Sequence, residues 1–139
     1  MINLVSAPFK NSLFVAIICF AGIQNSSAQN KPWAAPSAAQ TVKNPDMTAT
    51  GGKALYVSYC TPCHGQSGKG DGPAAAALTP KPADHTSMAL KSETDGSLFW
   101  KISEGRKPMP QYKLAFTTAQ RWQLVNYIRS LSSKSPKKS

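Results

Sequence analysis

Two thiols three residues apart, followed directly by an imidazole, are the residues of this sequence best suited to chemistry. They are Cys60, Cys63 and His64, within YCTPCHGQSGKGDGP at 59–73. A disulfide, a zinc site, a redox dithiol and a covalently attached haem all use part of that pattern. Zinc takes four ligands, usually as two spaced pairs. Here the only other histidine is His85, and there is no second C-x-x-C and no H-x-x-x-H. A thioredoxin-type dithiol needs a βαβ setting, and no strand pattern precedes Cys60. A disulfide framework needs further pairs, and the one remaining cysteine is Cys19. Covalent haem uses every residue: the two thiols meet two vinyl groups, and the adjacent imidazole turns onto iron.

The N-terminal region agrees with that chemistry. Lys10 precedes an uncharged apolar run from Leu13 to Ile23, and Ser26-Ser27-Ala28 ends in small residues. This reads as a signal peptide spanning 1–28, cleaved near Ala28, so the protein is expected in the periplasm, where haem is attached to such motifs. The run has 11 residues, short of the ~20 needed to span a bilayer. Stable membrane insertion is therefore not expected after cleavage, and an uncleaved anchor is the alternative. Bulky Ile17 and Ile18 before Cys19 argue against a lipidation site. The 139 residues fit one domain, and the ~111 left after cleavage can hold a modest core.

All six acidic residues and 15 of the 16 Lys/Arg follow position 28, which leaves a mature net charge of +9. That balance points to an acidic protein partner or an anionic surface. Export removes nucleic acid from consideration. Partners are therefore expected to be redox proteins with acidic docking surfaces, with Lys69 and Lys107 beside the ligand-bearing loops as the first docking candidates.

The elements that must position these residues are helical. Residues 29–50 are rich in Ala, Pro, Ser and Thr without periodicity and read as a flexible linker or docking arm, with Trp33 as an anchor or a partner contact. Gly51-Gly52 open a helix whose apolar face, Ala54, Leu55, Tyr56 and Tyr59, runs into Cys60. Four glycines in 65–72 impose an irregular loop, and Pro73 starts a short turn through PAAAAL. Thr94 or Asp95 caps a second helix, GSLFWKISE, ended by Gly105. RKPMPQYK is too proline-rich for regular structure. Thr117 and Gln120 form a capping box, and Leu124, Val125, Ile128 and Leu131 recur on one helical face. Trp122 falls off that stripe and is expected to face a loop. Residues 133–139 form a basic tail.

On the segments GKALYVSYCTPCHG, GKGDGPAAAALTPKPAD, LFWKISEG, PMP and RWQLVNYIRSL, in that order, the chain resembles the small class I c-type cytochromes over about 51–131. The resemblance implies an all-α cytochrome c fold at 51–132, with about four to five short helices wrapped around one covalently bound haem. It implies Cys60 and Cys63 as thioether attachments and His64 as proximal iron ligand, its Nδ1 proton accepted by the Pro73 carbonyl. It also implies that the first and last helices cross at Gly52, Tyr56, Leu124 and Tyr127.

For the sixth iron ligand, the mature chain offers Met47, Met88 and Met109. Pro108 and Pro110 stiffen the loop around Met109, as ligand loops in that family are stiffened, so Met109 is the expected distal ligand and His85 the alternative. Trp100 and Arg106 are candidate propionate contacts, because an indole N–H or a guanidinium suits a carboxylate. Tyr112 is expected beside the methionine. With both axial positions filled, iron can only exchange electrons, so the expectation is a soluble exported one-electron carrier and not an enzyme. A cytochrome subunit docked permanently in a larger dehydrogenase or oxidase is the second reading. A five-coordinate haem binding gas or peroxide is the third.

Overall fold

Gly52 explains why the two ends of the helical framework touch. In the computed structural model, which describes residues 32–45 and 47–133, helix α2 (Gly52–Tyr59) lies against the C-terminal helix α6 (Thr118–Ser133). A Cβ at Gly52 would overlap the Gln123 carbonyl and sit 3.2 Å from Tyr127 Cβ. Only the missing side chain lets the backbones approach this closely. Tyr56 and Tyr127 pack beside the contact with ring centroids 5.2 Å apart, and Leu124 is buried within it. The signal-peptide reading at 1–28, Cys19 included, and the tail beyond Ser133 lie outside the described residues.

Between these helices run α3 (Thr61–His64), a 3-10 turn (Ala75–Ala77), α4 (Met88–Ser92) and α5 (Asp95–Glu104), with α1 (Ser37–Gln40) preceding them all. The described residues contain no β-strand and only one isolated bridge, Arg106 to Met109. The fold is all-α, as the resemblance implied. Five α-helices begin within 51–132, in line with the four to five expected there, and among the described residues the arm adds α1 before them.

Local chemistry sets the helix boundaries. The Thr94 side chain accepts from Ser97 N at 3.1 Å and caps α5, which decides between Thr94 and Asp95. Gly105 ends that helix at φ +63°, a conformation that favours glycine. The capping box of α6 is reciprocal: Thr117 N donates to Gln120 Oε1 at 2.9 Å, and Gln120 N to Thr117 Oγ1 at 3.2 Å. Arg129 gathers three elements, donating to Asp95 Oδ1 at 2.8 Å, to Leu90 O at 3.0 Å and to Glu93 O.

One core joins α2, α5 and α6 through Tyr56, Leu98, Ile102, Phe116, Trp122, Leu124, Val125, Ile128 and Leu131. Trp122 corrects the expectation that it faces a loop. It is 3% exposed and stacks on Phe99 of α5, with centroids 4.1 Å apart and planes 18° apart. Helix α6 packs against both α2 and α5, so it buries two faces where a single apolar stripe reveals one.

The segment read as a linker or docking arm packs on its own domain. Helix α1 lies on α5, where a Cβ at Gly96 would overlap the Ala39 carbonyl. Ala35 is 5% exposed, and Asn44 Nδ2 donates to Asn126 Oδ1 at 2.6 Å.

Candidate functional site

The spacing of C-x-x-C-H becomes a surface on one turn of helix. Cys60 caps α3, and Cys63 and His64 follow at i+3 and i+4, the offsets that share a helical face. All three line a cavity of about 410 Å³, and Met109, Tyr112, Leu98, Ile102, Leu124 and Ile128 form much of its remaining wall. That volume lies in the range of sites for small molecules and cofactors.

Both cysteines are free thiols, so the structure uses neither as a staple. Burial first, and then Cys63, pushes the Cys60 thiol up to about 12, which keeps it protonated at neutral pH. Burial lowers the His64 pKa, while its contact with the Ala83 carbonyl opposes the shift. His64 is thus held as a neutral imidazole, the form that ligates iron.

The proton partner of His64 differs from the expectation. His64 Nδ1 lies 3.0 Å from Ala83 O, and no hydrogen bond joins it to Pro73. Pro73 is exposed and faces a separate open depression with Thr61, Gln66 and Asp71. The chain around 80–83 passes along the cavity wall and brings the Ala83 carbonyl to the ring instead.

His85 is 6% exposed and stacks face to face on His64, with centroids 4.2 Å apart and planes 19° apart. The Tyr56 hydroxyl lies 3.1 Å from His85 Nδ1 and 3.3 Å from Gly65 O, so it links the buried ring to the loop backbone. These contacts hold the His85 ring against His64. Burial, and secondarily His64, carry its pKa down to about 3.

The methionines separate cleanly. Met47 and Met88 are 82% and 76% exposed, whereas Met109 is half-buried on the cavity wall. Its loop is fixed at both ends. Met109 N donates to Arg106 O at 2.8 Å, Arg106 N to Met109 O at 3.1 Å, and Tyr112 N to Ile102 O at 3.1 Å. Tyr112 lines the same cavity as Met109, and its hydroxyl donates to Tyr59 O at 3.3 Å.

Arg106 reaches the cavity, but Trp100 does not. Leu98, Lys101 and Ile102 form the cavity-facing side of α5. At about 100° per residue, Trp100 points to the other side. Trp33, read from the sequence as an anchor or a partner contact and not as part of the site, lines the cavity where Trp100 was expected, 6.3 Å from the Trp100 ring. Sequence reasoning missed Lys81 and Lys101, the cations that line the cavity with Arg106, whereas Lys69 and Lys107 are exposed outside it. The i+3 and i+4 relation of Lys101 and Ile102 to Leu98 was available as a signal for Lys101. Nothing local marked Trp33.

The residues present fit a covalent haem. Two free thiols, a neutral imidazole and a thioether converge on one largely apolar cavity with cations beside it, which is the donor set such a cofactor requires. No group of three or more His, Cys, Asp or Glu side chains suited to a bare metal ion occurs among the described residues.

Comparison with known proteins agrees. A sequence model of the family described as cytochrome C oxidase, cbb3-type, subunit III matches residues 47–128. No curated protein matches the chain. One similar solved structure belongs to a reducing HAO-like protein complex of Kuenenia stuttgartiensis, at 28% identity and a TM-score of 0.55. The similarity covers 65% of this chain and 46% of that one, so this chain corresponds to less than half of its neighbour.

Proposed function

The chain belongs to the family described as cytochrome C oxidase, cbb3-type, subunit III, a c-type cytochrome domain, and from that premise we propose a one-electron carrier in which His64 and Met109 would ligate the haem iron. The observation that carries this reading is the convergence of Cys60, Cys63, His64 and Met109 on one cavity. When bound, haem c supplies reversible Fe(III)/Fe(II) exchange. Cys60 and Cys63 tether it, and the neutral His64 ring, oriented through Nδ1 by Ala83 O, offers Nε2. Met109 offers a thioether, which favours ferrous iron and raises the potential relative to two histidines. With His64 and Met109 both ligating, no open site would be left for substrate, and the protein would transfer electrons without catalysing a reaction of its own.

The ligand assignment has a direct test. Oxidised protein is expected to show the weak sulfur-to-iron absorption in the far red, and Met109→Ala is expected to abolish it. Loss of that band in His85→Ala with Met109→Ala silent would reverse the assignment.

The carrier works in the periplasm, diffusing between redox proteins with acidic docking surfaces. Among the described residues no helix is long and apolar enough to cross a membrane. The sequence net charge of +10 supports steering, which can raise association rates ~10–10³-fold at low salt. A second reading, a subunit held permanently in a larger complex, is favoured by the family's description as an oxidase subunit and by the neighbour's membership of a complex. Stopped-flow electron transfer across a salt series separates the two. A diffusing carrier slows steeply as the Debye length shrinks to about 8 Å near physiological salt. A flat profile together with stoichiometric co-purification of the partner would favour the docked subunit.

A further inference from the structure

Residues 33–45 lie outside the span matched by the family, yet they are fastened along their length to the haem domain. Gly96 of α5 leaves no room for a side chain beneath the Ala39 and Val42 carbonyls. Gln40 Nε2 donates to Ala35 O at 2.7 Å and closes the arm on itself, and Asn44 reaches α6 through Asn126. The arm ends at Trp33, which lines the same cavity as Cys60, Cys63, His64 and Met109.

Trp33 also organises charge. The Arg106 guanidinium carbon lies 5.0 Å from its ring centroid and the Lys101 ammonium 5.6 Å, both within cation–π range. Lys101 is tied in addition to Glu93. One indole thus contacts two cations that line the cavity, and its ring centroid lies 6.3 Å from that of Trp100.

We propose that the 33–45 arm is a built-in wall of the haem cavity, in which Trp33 is a positioning residue that holds Arg106 and Lys101 at the cavity and excludes water from it. Two physical effects follow, and they have the same sign. Water admitted to a haem site favours the ferric state, which carries one more positive charge. Cations held close to the site disfavour that extra charge and so favour the ferrous state. Removing the indole admits water and loosens Arg106, while Lys101 keeps its tie to Glu93, and both changes lower the reduction potential. An arm that merely decorates the surface changes neither.

The test is equilibrium redox titration of the full-length, haem-loaded protein. Trp33→Ala is expected to lower the potential, and Trp33→Phe, which keeps an aromatic face, to restore most of the difference. Arg106→Gln is expected to lower the potential as well, and to do so by less in the Trp33→Ala background, because the cation is already loose there. A potential indifferent to Trp33→Ala would overturn the proposal. Should Trp33→Ala fail to load haem, the difference in fluorescence between wild type and Trp33→Phe isolates the Trp33 emission. The proposal expects that emission to be quenched by haem and shielded from iodide, and iodide-accessible emission would refute it. The inference rests on the haem-protein reading. Covalent haem with a potential indifferent to Trp33 defeats the arm's role alone, whereas a chain that takes no haem defeats both.

Discussion

The α2–α6 contact and the cavity wall are built from the same helices in opposite ways. At the contact the protein completes itself: Gly52 admits the Gln123 carbonyl, Tyr56 and Tyr127 fill the flanks, and Tyr56, Leu124 and Val125 are less than 2% exposed. On the cavity side Ile128 turns toward about 410 Å³ of space, shared with Cys60, Cys63, His64 and Met109, and Leu124 sits at the boundary between the two. One side of α6 is packed by protein, and the other is shaped for a prosthetic group. The difference shows how the domain divides its stability between its own side chains and its cofactor, since protein interiors otherwise leave few voids larger than a water.

Removing the haem should therefore affect the two regions unequally, and this is the largest effect expected. In haem-free protein, amides of 61–65 and 105–112 should exchange orders of magnitude faster than those at the centre of α6. Uniform loss of protection would mean that the helix contact also depends on haem, and the comparison would fail.

A smaller effect should come from the packed side. Gly52→Val places side-chain atoms on the Gln123 carbonyl and against Tyr127, and overpacking of this kind typically costs about 1–3 kcal/mol. Denaturant midpoints of the loaded protein should fall accordingly, while the visible spectrum stays unchanged. An altered ligand spectrum would show that the two regions are not separable.

The smallest effect is expected at the capping box. Thr117→Ala removes the acceptor for Gln120 N and should cost about 1 kcal/mol. It should leave the reduction potential alone, since Thr117 does not line the cavity. A shift in potential would tie the helix start to the site.

The sequence made the packed region and the donor set readable for a physical reason. Helix contacts and attachment motifs are encoded locally, by glycine next to aromatics, by caps, and by thiols at i and i+3. Gly52, the Thr117–Gln120 box and the Cys60–Cys63–His64 turn all carry such signals. What stayed hidden depends on distant chain. The carbonyl that meets His64 comes from Ala83, 19 residues on, and His85 is placed by Tyr56, 29 residues back. Trp122 was misplaced because a single stripe describes a helix with one buried face, and α6 has two. Residues 33–45 looked unstructured because they fold by docking on α5 and have no periodicity of their own.

The central claim is that Cys60 and Cys63 carry one haem that His64 faces, and one measurement reaches it directly. Trypsin should release residues 54–69, ALYVSYCTPCHGQSGK, as one peptide from protein matured in a haem-attaching host. Mass spectrometry after acid-solvent extraction should find that peptide heavier by one haem, with neither thiol open to alkylation. The same peptide recovered without haem, with both thiols alkylated or retaining zinc, would contradict the account.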